Sequence, residues 1–236
     1  MNVINLIYKD WKLNVDLEGG RIIKLEKRDQ KILGTFDRID GKQGNTHVCV
    51  PNFAAEGIEK YGFIFHGPFR NSEWKLVNQT DNSLEINCEI EALNVSQKFK
   101  IDNNFEQEII ISNKSTEAKR VNVGMHNYWD TEFSWEEAKF NGIDITQGIK
   151  DSVDFKIEKD NVLELPNKVP INWHLFGFQY IKLWTGFKEE NGEKIFDQKY
   201  VCVEPIMERE GFVENETSLL KSGGELKLKQ IIEVGF

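Results

Sequence analysis

The chain has 236 residues, four of them histidine, with 30 Lys and Arg against 39 Asp and Glu, for a formal net charge of -9. That balance gives no footing for nucleic acid, which needs clustered Lys and Arg against phosphates, and no attraction to anionic membrane surfaces. A chain of this length can bury a sizeable core, and all-β sandwiches of this size are commonly undivided, so residues 1–236 are read as one domain.

Met1 to Asn5 lacks a basic stretch followed by an apolar one, so no signal peptide is expected. No apolar run approaches the roughly 20 residues of a membrane helix. Cys49, Cys88 and Cys202 are odd in number and far apart, which suits free thiols in a reducing compartment, and a cytoplasmic location is expected.

Period-2 alternation then dominates. Trp11, Leu13, Val15 and Leu17 alternate with polar residues, as in a half-buried strand, and Gly19-Gly20 turns the chain into a returning strand over Arg21 to Lys27. His47 to Phe53 is apolar and ends at Pro51-Asn52, and Tyr61 to Phe65 ends at His66-Gly67-Pro68. Turn residues at Thr80 to Ser83 precede the alternating Leu84, Ile86, Cys88 and Ile90, and Asp102 to Asn104 make a further turn. Val121, Val123 and Met125 alternate again, and Ser134 to Phe140 suit a single short turn. Glu136 to Pro170 is more polar and less regular, and is expected to hold long loops. Leu226 and Leu228 close the series. Many short strands and no amphipathic helix predict an all-β, two-sheet antiparallel sandwich.

Three segments carry chemistry. In Tyr200 to Glu204, alternation places Glu204 on one face with Tyr200 and Cys202, with Pro205 taken to close the strand. Partial burial there would lift a carboxyl toward the range of a general base; an ion pair with a nearby Lys or Arg is the other reading. His126 shares a face with Asn122, Gly124 and Tyr128, where Gly124 leaves room for close approach to the sheet. It reads as a proton carrier or as a hydrogen-bonded core histidine. His66 ends an apolar run, and Arg70 follows it with a fork suited to vicinal hydroxyls or phosphate, or to a pair with Glu73. Asn52 is a further polar candidate in a loop setting. Trp74, Trp129 and Trp184 are either core or stacking platforms for a sugar face. No H-x-H, H-E-x-x-H or C-x-x-C spacing is present, so no metal site is expected. Walker, Rossmann and G-x-S-x-G patterns are also missing, and no cofactor is expected.

Taken in order, Leu17 to Leu25, Pro51-Asn52-Phe53, His66 to Arg70, Met125 to Tyr128, Val201 to Pro205 and Leu219 to Glu225 resemble the aldose 1-epimerase (galactose mutarotase-like) family. The small LacX-like and hexose-6-phosphate epimerase-like bacterial members are the nearest in style. The resemblance implies a β-supersandwich with its site in a concave sheet, and no metal or organic cofactor. It implies that Glu204 takes the anomeric hydroxyl proton and His126 protonates the ring oxygen. His66 would steady the ring-oxygen region, and Arg70 and Asn52 would bind substrate. The implied partner is a small sugar or sugar phosphate. Many members carry an acidic residue between the His and Glu motifs; Asp144 and Asp151 fall there without a motif around them. Two other readings stand beside an epimerase: a catalytically weak carbohydrate-binding protein on the same fold, and a structural or partner-binding sandwich whose Glu204 and His126 lie far apart in ordinary ion pairs.

Overall fold

A computed structural model describes residues 2–151, 154–158, 160–209 and 212–235. The chain opens with β1 (Val3–Tyr8), β2 (Trp11–Asp16), β3 (Arg21–Lys27), β4 (Gln30–Asp37), β5 (Gln43–Asn45) and β6 (His47–Cys49). A loop carrying the one-turn helix α1 (Ile58–Tyr61) leads to four longer strands, β7 (Lys75–Gln79), β8 (Ser83–Ile90), β9 (Leu93–Ile101) and β10 (Phe105–Asn113). Then come β11 (Lys119–Arg120), β12 (Gly124–His126), β13 (Tyr128–Asp130), β14 (Lys139–Phe140) and β15 (Ile143–Asp144), followed by α2 (Thr146–Asp151). Next are β16 (Phe155–Lys156), β17 (Asn161–Glu164), β18 (Ile171–Phe176), β19 (Tyr180–Trp184), β20 (Phe187–Glu190) and β21 (Glu193–Phe196). The chain closes with β22 (Tyr200–Ile206), β23 (Leu219–Leu220) and β24 (Glu225–Val234).

Two large antiparallel sheets result. One runs β1-β2-β3-β4-β13-β22-β12-β6, with β19 also on β22; the other runs β15-β14-β17-β18-β24-β10-β9-β8-β7. The alternation read in the sequence is the cause. Trp11, Leu13 and Val15 of β2 face the same core as Phe99 of β9, Ile109 and Ile111 of β10, Trp129 of β13 and Val203 of β22. Residues from both sheets share that core, so it lies between them. Each fully buried large apolar side chain contributes about 1.5–3 kcal/mol. Trp74 and Trp129, read as core or platform, are core.

The irregular stretch from Glu136 to Pro170 is more structured than expected, holding β14 to β17 and α2. Its strands are short, so alternation could not reveal them. Pro205 does not close its strand, since β22 continues to Ile206. Among the described residues, no helix is long and apolar enough to cross a membrane.

A chain of buried amides crosses the core. Gln97 Nε2 donates to the carbonyl of Gly20 at 2.9 Å, Gln107 Nε2 to Gln97 Oε1 at 2.7 Å, and Gln230 Nε2 to Gln107 Oε1 at 2.8 Å. Gln230 Oε1 then accepts from Trp173 Nε1 at 3.0 Å and Asn127 Nδ2 at 3.2 Å. The series ties the Gly20 turn, four strands of the second sheet and the residue between His126 and Tyr128 into one unit.

Candidate active site

The register of the first sheet assembles the site. β12 pairs with β6 so that His126 stands opposite His47 and Gly124 opposite Cys49. On its other side, β22 pairs Ile206 with Gly124 and Cys202 with Tyr128, which sets Glu204 beside His126. β19 then pairs Lys182 with Glu204 and Trp184 with Cys202. A row His47, His126, Glu204, Lys182 therefore crosses four strands on one face, while Met125, Val203 and Leu183 point into the core.

The loop between β6 and β7 covers this row. His66 has φ +60 and Gly67 φ +72. The His66 amide donates to Ala54 O at 2.8 Å, and its Nδ1 accepts from the Ala54 amide at 3.2 Å. A Cβ at Gly67 would lie 1.8 Å from Val50 O, so only glycine allows this closure onto β6. The room left by Gly124 is taken by Phe53, whose ring carbon would be 2.4 Å from a Cβ there.

Between loop and sheet lies a cleft of about 510 Å³, within the range of small-molecule sites. His126, Glu204, Tyr128 and Trp184 line its sheet side, and His66, Phe65 and Arg70 its loop side. Arg38, Lys42 and Lys182 complete the wall. An adjoining lobe of about 270 Å³ gathers Arg21, Arg38 and Arg70 with Gln43, Asn45 and Asn71. Some of this charge is answered locally: Arg38 pairs with Asp40 at 2.6 Å and Lys182 with Asp154 at 3.2 Å. Arg70 Nε is buried with no hydrogen-bond partner among the described residues.

Glu204 is 1% exposed and His126 6%, and the two side chains meet in a direct hydrogen bond. Burial, then the Arg70 and Arg38 guanidinia, hold His126 down at about 3. The imidazole is accordingly neutral, with Nδ1–H donating to Glu204 and Nε2 accepting from the Tyr128 hydroxyl at 3.0 Å. Burial also keeps the Tyr128 phenol protonated. His66, 6% exposed, is pushed far below the usual histidine range by burial and by His126. The imidazole rings of His47 and His66 lie 5.1 and 5.0 Å from that of His126. Two clusters have donor atoms near enough to share a metal ion: His47, Cys49 and His66, and His126, Cys202 and Glu204.

Of the residues singled out in the sequence, Glu204, His126, His66 and Arg70 come together in one cleft, and the separation expected of a merely structural sandwich is not found. Asn52 does not line it. It is fully buried, and its Nδ2 donates to Ala54 O at 3.2 Å and Ile64 O at 3.1 Å, bracing the loop that presents His66. Asp144 is exposed on β15 of the other sheet, and the side chain of Asp151 lies outside the described residues. Arg38, Lys42, His47, Tyr128 and Lys182 were not singled out. Each reaches the site through pairing between distant strands or through the β4–β6 turn, and only the i, i+2 spacing of Tyr128 from His126 was a local signal.

Solved structures share this architecture. A galactose mutarotase-like protein from Lactobacillus casei superposes with a TM-score of 0.79 at 12% identity, over 99% of this chain and 100% of that one. For a candidate aldose 1-epimerase from Escherichia coli K12 the values are 0.78 and 14%, over 99% of each chain. For a galactose mutarotase related enzyme from Lactobacillus acidophilus they are 0.77 and 15%, over 99% and 97%. No protein-family model matches the chain, and no curated protein matches its sequence. At these identities the likeness is one of backbone, and by it the chain has the galactose mutarotase-like fold.

Proposed function

We propose that this protein is an aldose 1-epimerase that interconverts the α and β anomers of an aldose or aldose 6-phosphate. The observation that carries the reading is the contact of a buried carboxylate with a buried imidazole on the floor of a sugar-sized cleft. Ring opening needs one proton taken from the anomeric hydroxyl and one given to the ring oxygen. The seated sugar enters between the two groups. Glu204 accepts the O1 proton; His126, charged by a proton taken from solvent at Nε2, gives its Nδ1 proton to the ring oxygen and keeps the Nε2 proton on Tyr128 oxygen. The C–O ring bond breaks, leaving an open aldehyde, neutral His126 and protonated Glu204. Rotation about C1–C2 presents the other carbonyl face, and the same transfers in reverse close the ring to the other anomer. His66 faces the ring-oxygen side, and Trp184 offers a ring for the apolar sugar face. The three guanidinia in the side lobe favour a phosphorylated substrate over a free one.

A second reading, a catalytically weak carbohydrate-binding protein, is favoured by one observation: the imidazole is held neutral and is not yet an acid. Anomer exchange measured by NMR magnetisation transfer on hexoses and hexose 6-phosphates separates the two. Exchange above buffer that falls about 10²–10⁴-fold in Glu204→Gln, the usual worth of a general base, supports the epimerase. Saturable sugar binding with no exchange supports the binding protein. Exchange confined to the 6-phosphates supports the phosphate assignment.

A further inference from the structure

One polar atom on the wall of the adjoining lobe has no role in the reaction above. His47 is 8% exposed, and its Nδ1–H donates to Asn45 O at 2.6 Å. Its Nε2 therefore carries a lone pair, and that nitrogen is buried with no hydrogen-bond partner among the described residues. A histidine fixed by a carbonyl on one nitrogen and open on the other is how imidazole ligands to metals are held. Cys49 lies two residues on, on the same face of β6, and its Sγ is 3.2 Å from His66 Nδ1. Donor atoms of His47, Cys49 and His66 lie within 4.8 Å of one another, and all three residues are buried. Zn–N and Zn–S bonds of about 2.0–2.3 Å put tetrahedral ligands roughly 3.3–3.8 Å apart. Cys49 Sγ and His66 Nδ1, at 3.2 Å, are already close to that spacing, and the His47 donor lies within 4.8 Å of both.

We propose that His47, Cys49 and His66 form a binding site for a soft divalent metal ion of the zinc class, behind the part of the cleft wall that His66 forms. One thiolate and two imidazoles select such an ion over magnesium or calcium, and leave a fourth position for water or a ligand oxygen. As the metal–sulfur bond forms, the Cys49 thiol releases its proton to solvent, and the metal–nitrogen bond at His66 replaces the long hydrogen bond from the Ala54 amide. The other cluster is the weaker candidate, because both nitrogens of His126 are already engaged by Glu204 and Tyr128. The local spacing is only His-x-Cys, with His66 brought in by the loop, and so matches none of the metal patterns sought in the sequence.

Cobalt(II) tests this without reference to turnover. Titration of the reduced, metal-free protein should give a sulfur-to-cobalt charge-transfer band that saturates near one equivalent and is displaced by zinc. The band should vanish in Cys49→Ser and persist in Cys202→Ser. His47→Gln should weaken cobalt binding at least tenfold. Far-UV circular dichroism of each variant without metal verifies folding. Absence of the band in the native protein, or its survival in Cys49→Ser with loss in Cys202→Ser, would overturn the assignment.

Discussion

His126 sets the chemistry at the scale of one residue. Its ordinary value is 6.5, and burial with two guanidinia nearby holds it at about 3. The sign follows directly. Between pH 8 and pH 5 the imidazole is almost wholly neutral, and the imidazolium able to protonate a ring oxygen grows tenfold for each unit of acidification. The rate of exchange, with the buffer rate subtracted and metal removed by EDTA, should therefore rise as pH falls, with log kcat/KM approaching a slope of -1. Circular dichroism at each pH confirms that the protein is still folded. A flat profile would mean that proton transfer starts from the neutral imidazole, and a rate that falls with acid would mean that protonation of the Glu204 base, not charging of His126, governs the profile. Tyr128 makes the low value tolerable. Its hydroxyl serves Nε2 as donor in the resting cleft and as acceptor once the imidazole is charged, so neither state leaves a buried nitrogen unpaired.

At the scale of elements, the site depends on one loop closing over one row of strands. Gly67 is the hinge of that closure, at φ +72 and against the Val50 carbonyl. Gly67→Ala adds left-handed strain of about 1–3 kcal/mol, and the collision with Val50 O comes on top of it. Urea unfolding should show at least that loss, and exchange should slow because His66 moves away from the ring-oxygen side. Unchanged stability and exchange would mean that the loop closes by another route. The same element explains which site residues are legible in the sequence. His66 and Glu204 adjoin Gly67 and Pro205, and His126 and Arg70 lie two residues after Gly124 and Pro68, so each could be picked out one at a time. His47 and Lys182 sit in ordinary-looking strands. Only the registers of β6 on β12 and of β19 on β22 bring them into the row, and pairing across 79 positions, from His47 to His126, has no local signature. Asn52 shows the converse. A polar residue after Pro51 looked like a ligand group, but its amide serves the backbone of its own loop.

The whole molecule is joined through its core by the amide series from Gly20 to Asn127. Alternation could predict two apolar sheet faces, but gave no reason to expect three buried glutamines between them, because Gln97, Gln107 and Gln230 fall on inward positions where apolar residues are the rule. Their burial is tolerated because each amide finds a partner in the next. Gln107 is the middle link, with one neighbour in each direction. Gln107→Leu keeps a similar volume but leaves Gln97 Oε1 without its donor and Gln230 Nε2 without its acceptor. At about 1–3 kcal/mol for each orphaned buried group, the loss should be about 2–6 kcal/mol in urea unfolding, larger than a change of shape alone would give. Gln230→Leu strands Gln107 Oε1 together with the Trp173 and Asn127 donors. Because the two variants orphan the same contact, the double substitution should cost less than the sum of the singles, and that shortfall measures the link. Strict additivity, or a single variant as stable as the native protein, would show that the amides are separate pairs and that the Gly20 turn and the Asn127 end of the site are stabilised independently.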